Sequence, residues 1–298
     1  MQLNIYAKEW EIKLINDYFR EKLEQIKLDK LQFDAYNAKG NTVVTAGPGS
    51  GKTTVLTLKV MQLLSQYIHL PRGLACLTYS REAAREFQDR LKLMGFEERK
   101  NVFLGTVHSF CLTEVLKPFS KLYPKYNIPI PIKIISNKEK QKLFKEAKNE
   151  VDIVDLKIDE MDKERSRDIS GLSKVEIPRF DVALQVALVF EKKLREEGYI
   201  DYISLVKSAT LMMQNEDYIQ KALQAKFPWI VVDEYQDLGK PLHEMVLGLL
   251  QKTNIKIFAV GDPDQSIYDF QGASPEYLKE LSELDLIDNR IHLTNNYR

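Results

Sequence analysis

Hydrophobic positions along this chain follow two rhythms. From about residue 7 to 27, Trp10, Leu14, Ile15, Tyr18, Phe19, Leu23 and Ile26 recur every three or four positions, which predicts an amphipathic helix. Glu9 and Lys13 stand four apart on its polar face in the favourable order. That face mixes both signs, which points to a packed helix rather than a membrane-surface one. Further on, short β-branched or apolar runs appear at Thr42–Thr45, Leu74–Thr78, Val102–Leu104, Trp229–Val232 and Ile255–Val260. Each ends in a polar cluster, and helical patterns separate most of them. This alternation predicts a parallel sheet with crossover helices. Ligands of such sheets bind beyond the carboxyl ends of the strands.

The middle of the chain breaks the rhythm. Between about 112 and 196 the strand-like run is Ile132–Ile135, and the remainder is helical in pattern and dense in charge. Lys133 to Lys148 holds six lysines against two glutamates, which reads as a solvated helix face. The expected organisation is a discontinuous sheet domain over 1–111 and 197–298, interrupted by a mostly helical domain over 112–196.

Composition adds bounds. A length of 298 residues suggests about two domains. Lys+Arg and Asp+Glu are both 43, so the net charge is zero, which argues against a whole-surface polyanion binder while leaving room for a local basic groove. Cys76 and Cys111 sit in no CxxC pattern and read as ordinary core residues, and the four histidines give no zinc signature. The N-terminus lacks the apolar stretch of a secretory signal. The most apolar run, Val182 to Phe190, falls well short of the roughly 20 residues that cross a bilayer. A soluble, cytoplasmic protein with no membrane partner is expected.

Three segments carry chemistry. The first, VVTAGPGSGKTTVL at 43–56, runs from an apolar strand through a Gly-rich loop into a helix starting near Lys52. It approaches the phosphate-loop pattern G-x-x-x-x-G-K-[ST], with Ala46 in place of the first glycine. Gly47, Gly49 and Gly51 let backbone N–H groups fold around phosphate oxygens, and the helix N-terminus favours the anion. Lys52 would reach the β- and γ-phosphates, and the Thr53 hydroxyl would coordinate Mg²⁺. The nucleotide set is Ala46, Gly47, Pro48, Gly49, Ser50, Gly51, Lys52, Thr53 and Thr54. The second segment, WIVVDEYQD at 229–237, ends an apolar run in Asp233, suited to Mg²⁺, and Glu234, suited to orient or deprotonate the attacking water. The third, FAVGDPDQSIYDFQGA at 258–273, closes another strand and brings Gln265, a neutral group able to hydrogen-bond a γ-phosphate or its attacking water.

These three segments, in this order, resemble those of UvrD/Rep-like superfamily 1 DNA helicases, and others follow suit. Gln32 in LQFDAY is similar to that family's adenine-reading glutamine. LTYSREAAREF at 77–87 and GTVHSF at 105–110 resemble its DNA-contacting segments, which makes Tyr79, Thr106 and His108 the matching DNA residues. YIDYISLV at 199–206 is similar to a further segment. NNYR at 295–298 is similar to the segment whose tyrosine stacks on adenine and whose arginine touches the γ-phosphate, here Tyr297 and Arg298. Phe270 stands where several relatives have a tryptophan that stacks on bases, and Gln271 where many have an arginine that helps hold the γ-phosphate. The resemblance spans about 28–298.

The fold it implies is a RecA-like P-loop NTPase, α/β, with a three-layer parallel sheet and an inserted helical domain. The activity it implies is ATP-dependent movement along single-stranded DNA, 3′ to 5′, with ATP and Mg²⁺ as cofactors. The catalytic set would be Lys52, Glu234, Gln265 and Arg298. Single-stranded DNA or single/double-strand junctions would be the partner, with a nuclease, repair or phage-defence partner also open. The family's second RecA-like domain would follow Arg298, so these residues alone would be the ATP-binding front half of a motor. Two other readings stand beside this one. The chain could be a nucleotide- and DNA-binding module without turnover, or a P-loop enzyme of another type such as a kinase, against which Gln32, Tyr79 and Gln265 argue together.

Overall fold

The computed structural model describes residues 16–166, 180–264 and 276–297. Its first helix, α1 (Asp17–Lys27), is capped by Asn16, whose side chain accepts the Phe19 N–H. Phe19 and Ile26 are buried, Tyr18 is 39% exposed, and Trp10, Leu14 and Ile15 lie outside the described residues. Helix α2 (Lys30–Asn37) follows directly, with Asp29 as its cap.

Strands β1 (Thr42–Ala46), β2 (Leu74–Thr78), β3 (Phe103–Thr106), β4 (Trp229–Val232) and β5 (Lys256–Gly261) lie within two residues of the expected runs. Between the first three come α3 (Lys52–Gln62) and α4 (Arg81–Leu93). A sixth strand, β6 (Asn289–Leu293), was not expected. It alternates half-buried and exposed positions at the sheet's edge before a buried Leu293, and its Arg290 and His292 hid the apolar signal. Among the described residues the sheet is entirely parallel, in the order β3-β2-β4-β5-β1-β6.

Alternation along the strands builds the layers. Val43, Ala75, Leu77, Ile230, Val232, Ile257 and Ala259 face one side, and Val44, Ala46, Leu74, Cys76, Val231, Phe258 and Val260 face the other. The first side is covered by α8 (Tyr202–Asn215), α9 (Asp217–Lys226), α10 (Lys240–Lys252) and α11 (Glu276–Glu283). The second is covered by α1 to α4. Both cysteines are buried and free.

A third cluster stands apart from both. It is built from α5 (Asn137–Glu150), α6 (Ile158–Arg165) and α7 (Phe180–Glu196), through Leu143, Phe144, Ala147, Met161, Ala183, Val186, Ala187, Phe190 and Leu194. Within Ile132–Ile135 the described pairing is a single bridge of Ile134 to Ile200. Lys138, Lys142 and Lys145 are exposed, as a solvated face requires, but Lys140 is not. Its ammonium sits 2.5 Å from Asp162 and 3.3 Å from Asp201.

Those acids converge on Arg165, which is fully buried and lies over the Phe190 ring. Its guanidinium donates to both Asp201 carboxylate oxygens at 2.7 and 2.9 Å, to Glu191 at 2.7 Å, to Asp162 at 2.9 Å and to the Ser204 hydroxyl at 2.9 Å. A buried cation is tolerated when its donors are all used this way. Burial pushes the Asp201 carboxyl up, but Arg165 and Lys140 beside it hold it well below the ordinary carboxylate range. Asp201 also caps α8. This hub therefore joins the third cluster to the helix that packs on the sheet. Among the described residues no helix is long and apolar enough to cross a membrane.

Candidate functional site

Strands β4, β5 and β1 are neighbours in the sheet, so the turns at their carboxyl ends meet. After β1 the chain enters Gly47–Gly51. Gly49 and Gly51 hold φ of 76° and 82°, left-handed values that glycine adopts without strain. The Ser50 hydroxyl donates to the Gly47 carbonyl at 2.6 Å, and α3 begins at Lys52. Ala46 is the buried last residue of β1, Pro48 is exposed, and Thr53 and Thr54 are half-buried in the first turn of α3.

Both ends of the sequence reach this loop. Gln32 is buried and donates from Nε2 to the Ser50 carbonyl at 2.8 Å. Tyr297 donates its backbone N–H to the Gly49 carbonyl at 2.9 Å. The Tyr297 hydroxyl donates to Asp29 at 2.6 Å, and Asn295 donates to the same oxygen at 3.0 Å. Burial pushes the Asp29 carboxyl up, but these bonds and the backbone N–H groups of α2 bring it net below its ordinary value. Asp29 thus ties the cap of the Gln32 helix to Tyr297.

Facing the loop is a group of acids. Lys52 Nζ lies 3.5 Å from Asp262 Oδ2 and 3.9 Å from Glu234 Oε2. Asp233 directly follows β4, and its N–H donates to the Leu77 carbonyl at 2.9 Å. Burial, with Glu234 alongside, pushes its carboxyl up to about 7. Glu234 holds φ 48° and ψ 54°, a left-handed conformation rare outside glycine and asparagine. Its backbone N–H donates to Asp233 Oδ1 at 3.0 Å and its carbonyl accepts the Asp237 N–H at 3.0 Å, bonds that sustain the strain. Gln236 donates to Glu234 at 2.7 Å, and the Tyr235 hydroxyl is 2.9 Å from His243 Nδ1. Asp237 keeps one buried carboxylate oxygen without a hydrogen-bond partner among the described residues, and burial plus the Glu234 charge pushes its carboxyl up to about 6.

This donor set suits a phosphate with its magnesium ion. Among the described residues no three His, Cys, Asp or Glu side chains form a metal cage. Magnesium needs none, since it takes one or two carboxylates and completes its shell with phosphate oxygens and water. A bound cation would relieve the acids whose carboxyls are pushed up here. Gln265, Phe270, Gln271 and Arg298 lie outside the described residues.

The other predicted contacts gather elsewhere. Tyr79 follows β2, Thr106 ends β3, and His108 lies in the helical turn Val107–Phe110 that comes next. Thr106 caps its helical turn by accepting the Ser109 N–H at 3.2 Å. His108 meets the Tyr202 ring edge-on at 5.4 Å, and burial pushes its imidazole pKa down. Tyr79, Thr106, His108 and Tyr202 line one cavity of about 950 Å³, which Lys140, Asp159, Asp162 and Lys163 also line. Neither Lys52 nor Asp233 lines it. Topology separates the two groups: the phosphate-loop side uses β4, β5 and β1, and the cavity uses β2 and β3.

Sequence reading missed Asp29, Gln236, Asp237 and Tyr202. Tyr202 stands in a segment singled out beforehand, and Gln236 and Asp237 in the WIVVDEYQD run, so their positions were visible though their contacts were not.

Comparison with known proteins bears on this arrangement. Residues 28–284 match the family described as the UvrD/REP helicase N-terminal domain. The chain is 28% identical over 268 residues to the ATP-dependent DNA helicase Rep of Escherichia coli, covering 87% of this chain and 39% of that protein. It is 31% identical over 268 residues to the Gabija protein GajB of Bacillus cereus, covering 87% and 44%. It is 24% identical over 294 residues to the ATP-dependent DNA helicase PcrA of Staphylococcus aureus, covering 96% and 38%. The chain therefore spans about two fifths of the length of these curated relatives.

Proposed function

This chain belongs to the UvrD/REP helicase N-terminal domain family, and on that premise we propose that it is the ATP-binding part of an ATP-dependent translocase and helicase that moves 3′ to 5′ on single-stranded DNA. The observation that carries this reading is Lys52 at the head of a Gly-rich loop, facing Glu234 and Asp262 at 3.9 and 3.5 Å across neighbouring strand ends. In it, residues 46–54 cradle the phosphates and Lys52 neutralises their charge. Thr53 and Asp233 hold Mg²⁺, which when bound supplies charge compensation to the phosphates. Glu234 orients and deprotonates the attacking water. Gln32 reads adenine, Tyr297 stacks on it, and Arg298 with Gln265 completes the γ-phosphate contacts.

The cavity lined by Tyr79, Thr106 and His108 is the single-stranded DNA groove of this reading, with Phe270 as a further stacking face. Aromatic faces hold any base at roughly 1–3 kcal/mol each, which suits a motor indifferent to sequence. Residues 112–196 are the helical insertion in this scheme, and the separate core running from Ile135 to Leu194 supports it. Leu112, Val115, Leu116 and Phe119 pack instead on the sheet's core. The segment from Gln265 to Phe270 would couple the two sites in this scheme, because its motif assigns Gln265 to phosphate and Phe270 to DNA.

Two substitutions test the nucleotide half. Lys52→Ala abolishes ATP binding by calorimetry without unfolding the chain. Glu234→Gln in the intact protein keeps ATP binding but loses hydrolysis, because geometry is kept and the base removed. Wild-type affinity in the first, or near-wild-type hydrolysis in the second, defeats the reading.

A further inference from the structure

The turn after β4 contains a residue to which the scheme above gives no role. Gln236 is 2% exposed. Its Nε2 donates to Glu234 Oε2 at 2.7 Å, and its Oε1 accepts the backbone N–H of Asp262 at 2.9 Å. An amide suits both tasks, since nitrogen can only donate and oxygen only accept. The partners therefore fix which way it points: a carboxylate requires the donor and a backbone N–H the acceptor.

Asp262 opens the turn that leads out of β5. Its carboxylate accepts the Asp264 N–H at 3.0 Å from one oxygen and lies 3.5 Å from Lys52 Nζ with the other. Lys52 in turn lies 3.9 Å from the Glu234 carboxylate. The four residues close a ring: Lys52, Asp262, Gln236, Glu234 and back to Lys52. One member of that ring, Lys52, is the group that phosphate would claim. Once it turns to phosphate, the Gln236 amide is, among the described residues, the hydrogen bond left holding the Glu234 side chain, whose backbone sits in a strained left-handed conformation.

We propose, resting on the reading of Glu234 as the group that activates water, that Gln236 is a positioning residue that aims the Glu234 carboxylate and ties it to the end of β5. Movement of the Asp262–Asp264 turn then reaches Glu234 through a single rigid amide. Gly261 supports the arrangement from behind. A Cβ there would stand 2.7 Å from Gln236 Oε1, so a glycine is what lets the amide reach the strand end.

Two variants of the intact protein separate the two bonds. Gln236→Met keeps the volume and loses both. Gln236→Glu keeps an acceptor for the Asp262 N–H and loses the donor to Glu234. Both are expected to bind a fluorescent ATP analogue with Mg²⁺ at wild-type affinity, with KM unchanged. In both, kcat for ATP falls by about 10- to 100-fold, the range that loss of a hydrogen bond to a charged group spans. A merely structural role would lower the melting temperature and raise KM together. If Gln236→Glu restores wild-type kcat, the Asp262 bond alone matters and positioning of the base is overturned. Wild-type kcat in both variants overturns the inference outright, provided Glu234→Gln is inactive in parallel. If Glu234→Gln still turns over, it is the general-base reading that has failed. Should the Met variant not fold, Gln236→Glu decides on the same kcat measurement.

Discussion

Replacing Gly261 by alanine adds one methyl group at the carboxyl end of β5, against the back of the turn that carries Glu234. The backbone there has no left-handed requirement, so any cost is steric. The new Cβ would lie 2.7 Å from Gln236 Oε1, 2.8 Å from Leu278 Cδ2 and 3.4 Å from the Gln236 backbone nitrogen. Two of these distances are shorter than real Cβ contacts, so something must move. Gln236 and Leu278 are 2% and 0% exposed, which leaves neither side chain an open direction. Overpacking of this kind costs about 1–3 kcal/mol. At about 2–4 °C per kcal/mol for a chain of this order of size, the melting temperature should fall by roughly 6 °C. The functional consequence depends on which neighbour yields. If Gln236 yields, its bond to the Asp262 N–H breaks and Glu234 loses its support. Hydrolysis in the intact protein then falls while nucleotide binding stays. Thermal melting together with steady-state ATPase and nucleotide titration reads all three quantities. An unchanged melting temperature would refute the packing argument. A lowered one with wild-type kcat would mean that Leu278 moved and that Gln236 kept its place.

Two further outcomes follow from the geometry. Tyr79→Ala should weaken binding to single-stranded oligonucleotides about 5- to 100-fold, and by the same factor for every base composition, because stacking reads ring faces rather than base edges; anisotropy titrations showing loss for one sequence alone would contradict it. Burial lowers the His243 pKa from 6.5 to about 4, and the unfolded chain binds the extra proton between those values, so stability is full above about pH 6.5 and falls as pH drops toward 4. Urea melts should show the wild type losing about 2 kcal/mol more than His243→Gln between pH 7 and pH 5, and parallel pH profiles would exclude His243 as the source.

How much of this fold could be read beforehand depended on burial. The five runs that the apolar pattern marked are strands with two well-covered faces or one, and β4, with all four residues buried, reads without ambiguity. Strand β6 escaped because it is an edge strand of mixed character, Asn-Arg-Ile-His-Leu, with half-buried and exposed positions alternating. What holds it is backbone pairing to β1, which leaves no mark on composition. The lysine-rich stretch misled in one place for the opposite reason. Lys140 belongs to a charge-dense helix, yet it is drawn in by Asp162 and Asp201, acids 22 and 61 positions later that no local window can see. Arg165 is harder still. A basic residue in a polar run gives no hint that it is among the largest fully buried side chains of the chain.

The site divides along the same line. Lys52, Asp233 and Glu234 are legible because phosphate and magnesium chemistry demands those residue types directly after a strand, and the strand is visible. The residues that hold them are legible only as letters. Gln236 stands two positions from Glu234, so its bond to that carboxylate is local, but the Asp262 N–H that anchors its other end is 26 positions away. Asp29 caps α2, a local task, while its second task, accepting the Tyr297 hydroxyl, bridges 268 positions. A reacting group is specified by its own chemistry, whereas a positioning group is specified by the distance between two partners, and that distance exists only after the sheet has formed. The strand order β4-β5-β1 brings Glu234, Asp262 and Lys52 into one ring. It follows that substitutions at Gln236, or at Gly261 where Gln236 is the neighbour that yields, should act on kcat through Glu234 without touching the phosphate loop, and that Asp29 should act on the adenine side without touching Glu234.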